Sequence, residues 1–395
     1  MSYKIGTATD MGDLLVQLSA FLTVGHPLDP QYVTGGDGVI EDLIGTTNSV
    51  VETITVTFTS ASAFSVSGSV SGPLGSGTAG AAFTSNVCAF KIVAGSIDFA
   101  SGDKITFAMS LPWDCLRAAN INLGTDEYIW RAPGSDGDSD IYVGMLRFNN
   151  ASADYDNVRL GGFAGFAPSM PFTAQPGPCT GPVMPGLRIG LIPYWFIANG
   201  RRAIVIIKCT SVYEGAYLGF LRQYWNPPQW PYPLVVGGSM AWASEPAATS
   251  TNWRWSYAGT ENNLIVFGNQ INNVNKNNFN LRLRVPNGVW NGFGIYTATP
   301  PTNAEYGYVW PYNGGRFTFV MPNLDGTYAL FPIVLSESYW GEINQAQYGE
   351  MDGMFAVTGY ENAVENIISI DRKKYLVMQN VFRTTRADYC AIKLS

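Results

Sequence analysis

Histidine is almost missing: His26 stands alone in 395 residues. A centre built from several histidine ligands is therefore excluded. Charge is scarce as well. Lys and Arg number 23 and Asp and Glu 30, so 13% of residues are charged, against roughly 25% in an average soluble protein. A net charge of −7 with so few cations argues against nucleic-acid binding, which draws its affinity from counterions released by many Lys and Arg. Long apolar runs are missing too: Leu191 to Ala198 comes nearest and falls short of the ~18 residues of a membrane-spanning helix, so no membrane insertion is expected. Met1-Ser2-Tyr3-Lys4-Ile5-Gly6 lacks the apolar core of a secretory signal. The five cysteines, Cys88, Cys115, Cys179, Cys209 and Cys390, are scattered, odd in number and without a CxxC pair. They read as buried free thiols of a chain made in the cytoplasm, with no metal and no cofactor expected.

Aromatic residues are present in force. With 11 Trp, 21 Tyr and 21 Phe they equal the charged residues in number, and 43 Gly and 23 Pro supply abundant turns. Disorder needs low hydrophobicity and high net charge, and this balance is the reverse.

Thr9 or Asp10 caps a predicted helix in which Leu14, Leu15, Leu18, Phe21 and Leu22 share one face. Gly25, Pro27 and Pro30 end it. Such a short helix is marginal alone, so this face is expected to dock on its own chain or to serve in assembly with a neighbour. Between Leu43 and Ile97 only Glu52 and Lys91 are charged. Thr53-Ile54-Thr55-Val56-Thr57-Phe58-Thr59 alternates with period two, and Phe64-Ser65-Val66-Ser67, Phe90, Ile92, Ile105 and Phe107 continue the pattern. Trp is absent before Trp113, and aromatic density rises from there. Three parts are expected: an N-terminal helix and arm (1–45) that can pack with the C-terminal domain, a small antiparallel β-sandwich-like module (46–112), and a large aromatic β domain (113–395). In the last, Tyr194 to Ile207 holds an Asn-Gly hairpin, and Leu281 to Val285, Phe317 to Met321 and Tyr375 to Met378 read as strands. The fold class is mainly β.

Candidate chemistry is thin. Asp136-Gly137-Asp138-Ser139-Asp140 spaces carboxylates like a calcium loop, but the sixth and twelfth positions hold Ile141 and Arg147, so a solvated turn is the better reading. Glu342, Glu350 and Asp352 suggest the carboxylate pair of a polysaccharide depolymerase, a minor alternative. No nucleophile elbow or phosphate-binding Gly loop with Lys occurs. Trp225-Asn226-Pro227-Pro228-Gln229-Trp230-Pro231-Tyr232-Pro233 is a stiff aromatic loop. Trp225, Trp230 and Tyr232, with Trp253 and Trp255, could stack on sugars, form a protein hot spot, or plug the β core. Glu261 to Asn280 carries nine Asn in twenty residues and reads as a polar loop or turn ladder.

Residues 50–108, with the run Ala94-Gly95-Ser96-Ile97-Asp98-Phe99-Ala100-Ser101-Gly102-Asp103-Lys104-Ile105-Thr106-Phe107, resemble a small β module of tailed-bacteriophage head-decoration and tail proteins. Ala94, Gly95, Phe99, Gly102 and Asp103 match its A-G-x-x-x-F-x-x-G-D turn. Asp140-Ile141-Tyr142-Val143-Gly144, Pro193 to Arg202, Trp230-Pro231-Tyr232-Pro233, Trp253-Arg254-Trp255-Ser256-Tyr257 and Gln379 to Thr384 with Tyr389 resemble a family of phage virion structural proteins. The resemblance implies a non-enzymatic virion component of the tail, baseplate or fibre, made in the bacterial cytoplasm. Its partners would be copies of itself and other virion proteins, and a host receptor or glycan in the alternative reading. It implies no catalytic residues.

Overall fold

The computed structural model describes residues 1–122, 125–152, 154–241, 265, 280–294, 306–312, 321–323, 325–338, 345–379 and 386–394. The chain is mainly β, with one α-helix, Met11–Leu22, among the described residues. Among the described residues no helix is long and apolar enough to cross a membrane.

Alternating threonines and apolar residues build the inserted module. Glu52–Phe58 buries Ile54, Val56 and Phe58 and turns the threonines between them outward. It lies in a five-stranded sheet ordered Gln31–Val33, Lys104–Met109, Glu52–Phe58, Ala63–Gly68, Gly72–Thr78. A second sheet, ordered Val39–Gly45, Cys88–Val93, Ala82–Thr84, packs on it around Phe58, Phe64, Phe90 and Phe107. The result is a two-sheet sandwich. Its closing turn uses the motif residues as their chemistry suggests. Gly102 takes φ +97°, a conformation L side chains rarely adopt. The Asp103 carboxylate accepts the Ala100 N–H at 2.9 Å and the Thr34 hydroxyl. Phe99 stacks on Phe58 with centroids 3.7 Å apart. A side chain at Gly95 would collide with Asp37, whose Oδ1 lies 1.9 Å from where its Cβ would sit.

The sandwich begins earlier than residue 46. Gln31–Val33 and Val39–Gly45 pair with Lys104–Met109 and Cys88–Val93, so the arm assigned to 1–45 supplies a strand to each sheet. Asp42 hides this in the sequence: it sits at φ +52°, where the register with Cys88–Val93 shifts between Glu41 and Ile44, and the alternation breaks.

The helix starts at an Asp10 N-cap that accepts the Gly12 and Asp13 N–H groups at 2.7 and 2.9 Å. Leu14, Leu15, Leu18, Phe21 and Leu22 are all buried in the same chain, among Trp130, Val143, Phe196 and Val205. They therefore form a core face, and the assembly role considered for them is corrected: intramolecular packing already covers it.

Beyond Trp113, a six-stranded sheet runs in the order Asp114–Asn122, Thr125–Ala132, Ile141–Asn150, Tyr155–Phe163, Pro182–Gly186, Met240–Ala241. A fourteen-stranded sheet starts at the edge strand Ser2–Ala8 and continues through Ile192–Ala198, Arg202–Cys209 and Val212–Phe220 toward the C-terminal strands. Trp195, Ile197, Ile204 and Ile206 share one core with Leu335, Met354, Leu376 and Ile392, so this sheet curls over on itself. Tyr194, Phe196, Val205 and Ile207 point the other way, into the core under the helix and the six-stranded sheet. Burial on both faces explains why these strands read as unbroken apolar runs. The hairpin forms, but its turn is not the expected Asn-Gly type. Asn199 Oδ1 accepts the N–H groups of Arg201 and Arg202 at 2.8 and 3.0 Å, and none of residues 199–202 has positive φ. Leu281–Arg284 and Lys373–Gln379 are strands; Phe317 to Val320 lie outside the described residues.

Both crossings between body and module run side by side. Trp113 N–H donates to Leu22 O at 3.1 Å, Ser110 N–H to His26 O at 3.0 Å, and Leu28 N–H to Ala108 O at 2.8 Å. His26 is fully buried in this clasp, edge-on to Phe21, and neither ring nitrogen makes a well-formed hydrogen bond. Burial lowers its pKa to about 3 against a weak opposing pull from the Leu22 carbonyl. The unfolded chain, with pKa near 6.5, thus binds the extra proton first, and stability falls as pH drops from about 6.5 toward 3. His26→Phe removes this loss. From about pH 7.5 to 4.5 the wild type should lose about 2–3 kcal/mol relative to the variant, read from urea midpoints at the two pH values. Parallel pH profiles would contradict the burial argument.

Candidate functional site

The aromatic loop is anchored at both ends. Arg222–Gln223 pairs with Gly349 and Glu350, Tyr224 N–H donates to Tyr348 O at 2.9 Å, and Pro227–Gln229 forms one 3₁₀ turn. Trp230 is 1% exposed; its Nε1 donates to Arg284 O at 3.0 Å, and its ring meets Tyr348 edge-on. The Tyr232 hydroxyl donates to Phe163 O at 2.8 Å and accepts the Tyr142 N–H at 2.9 Å, and burial pushes its pKa up. Trp230 has no face free for a sugar; it is the plug, and the stacking role considered for it is corrected. Tyr232 is partly buried, with Arg284 over its ring and Phe220 edge-on to it. Trp225 differs: it is 39% exposed, its Nε1 held by Gln347 O at 2.9 Å, beside Tyr224 at 51%. Trp253 and Trp255 lie outside the described residues, as does nearly all of the Asn-rich run.

Glu342 also lies outside the described residues. Glu350 is ion-paired with Arg222 at 3.2 Å. Asp352 accepts from Asn199 Nδ2 at 2.7 Å and faces Arg202 Nε at 3.3 Å. Burial alone would raise the Asp352 pKa, but Arg202 and Asn199 outweigh it and hold the carboxyl below its usual range. A glycosidase acid needs the opposite shift. The Asp136–Asp140 segment is a turn, with Asp138 N–H on Asp136 Oδ1 at 3.3 Å and Asp140 paired to Arg131. No cluster of three or more metal-ligating side chains occurs among the described residues. The cysteines are free; four are buried and Cys115 is exposed, unlike the expectation for it. Burial raises Cys88 and Cys179 to about 11 and Cys390 to about 12, far from a reactive thiolate.

Asp352 also opens onto a cleft of about 560 Å³ where arm, module and body meet. Asp29 from the arm, Thr53 and Thr106 from the module, and Arg201, Arg222 and Asp352 from the body line it. Periodicity and local motifs missed this site, because its walls come from segments far apart in sequence. The nearest signal was the pair Arg201-Arg202 in a chain poor in cations, though only Arg201 faces the cleft.

No family model and no curated protein matches the chain. Among solved structures it is similar to Xanthomonas campestris FlgL in two crystal forms, at 19% identity and TM-score 0.18. The match covers 23% of this chain and 33% and 32% of FlgL in the two forms. A likeness this slight bears on neither fold nor function.

Proposed function

We propose that the chain is a non-enzymatic structural component of a tailed-bacteriophage particle, in the tail, baseplate or fibre region, assembling with copies of itself and other virion proteins. The inserted sandwich supports this reading. Its phage-like turn residues, Phe99, Gly102 and Asp103, each hold the module's closing turn, and the module leaves the body through two clasped crossings. A weakly charged surface suits permanent contacts, which are more apolar than ordinary surface. The edge strand Ser2–Ala8, with Ile5 54% exposed, offers one place for them. Purified chain is expected to be oligomeric by light scattering, and antibodies against it to label phage tails in electron micrographs. A monomer, with particle yield unchanged when its coding sequence is deleted, would overturn the proposal.

Exposure of Trp225 and Tyr224 favours a second reading, host-surface attachment, in the same polypeptide. Under it Trp225→Ala lowers adsorption to host cells while particles still assemble. Normal adsorption would dismiss it.

A further inference from the structure

We infer that the cleft between module and body binds an acidic saccharide, a sugar unit carrying a carboxylate. This extends beyond the structural role and stands independently of it. The cleft's volume of about 560 Å³ lies within the roughly 300–1,000 Å³ of small-molecule sites. Its charges are asymmetric in a way the net charge of −7 conceals. The two lining carboxylates are already neutralised from the core: Asp29 by Lys393, which is 5% exposed, and Asp352 by fully buried Arg202. Neither of those cations lines the cleft.

The lining guanidiniums are less committed. Arg201 donates to the Leu221 carbonyl at 3.1 Å and has no carboxylate within ion-pair distance among the described residues. The Arg222 side chain is 69% exposed and contacts Glu350 at 3.2 Å, leaving donors outward. A planar fork of donors suits a carboxylate. A dianionic phosphate or a polyanion would place more than one added charge beside Asp29 and Asp352, whereas partly exposed Asp352 with Gln31, Thr53 and Ser135 can partner hydroxyls. A monoanion rich in hydroxyls answers all of these groups.

The test is calorimetric titration of the full chain with maltotriose bearing a single C6 carboxylate, the methyl ester of that acid and maltotriose itself, repeated on Arg201→Gln and Arg222→Gln. The singly acidic trisaccharide is expected to bind. Esterification, replacement by maltotriose, or either substitution should weaken binding at least tenfold, with melting temperatures of the variants within a few degrees of wild type. The esterified ligand tests the carboxylate without touching the protein, so a variant that misfolds does not blunt the result. No binding, equal affinity for the ester, or competition by acetate or phosphate as effective as by the sugar would overturn the assignment.

Discussion

Replacing Trp230 by alanine is expected to destabilise the protein by about 3–5 kcal/mol, the range for a large buried aromatic. The indole is 1% exposed, packs in the core shared by both halves of the curled sheet, and spends its N–H on Arg284 O. Truncation removes that apolar volume and leaves the part-buried Arg284 carbonyl without this donor. Trp225→Ala, five residues away and 39% exposed, should cost less than about 1 kcal/mol. Denaturant unfolding of the two variants separates plug from platform. Equal, small losses would show that the loop does not close the core.

Arg202→Leu is the second large effect. The guanidinium is fully buried, faces Asp352 at 3.3 Å and has the Ile197 carbonyl at 3.4 Å. Removing it strands the Asp352 carboxylate beside the core, at a cost of about 3–5 kcal/mol. The double change, Arg202→Leu with Asp352→Leu, should recover much of this, because no uncompensated charge remains. Acid shows the sign. In the wild type the depressed Asp352 pKa contributes stability above the unfolded value near 3.9, lost as pH falls through the folded value. In Arg202→Leu, burial is left to raise that pKa, so the deficit against wild type shrinks as pH falls. Urea midpoints of the wild type, both single variants and the double variant complete the cycle. Strict additivity would mean that the ion pair contributes nothing.

Local chemistry carried the elements. Asp10 with the spacing of Leu14 to Leu22 marked a helix, and alternation in Thr53 to Thr59 marked a strand, because caps and side-chain periods act over a few residues. The turn at Phe99, Gly102 and Asp103 was legible for the same reason. The arm was not, since the break at Asp42 removes the alternation while Val39–Gly45 still pairs. Nor could Tyr194-Trp195-Phe196-Ile197 reveal that its alternate residues serve two different cores.

Composition and periodicity thus settle a mainly β chain with one N-terminal helix and little room for histidine or thiolate chemistry. Folding decided the rest: that the helix face is covered within its own chain, that Trp230 is core while Trp225 is surface, and that Arg201, Arg222, Asp29 and Asp352 share one cleft. The reason is range. A hydrogen-bond period or a cap is set by neighbours in the chain, whereas burial and the pairing of charges depend on which distant strands the sheets bring together.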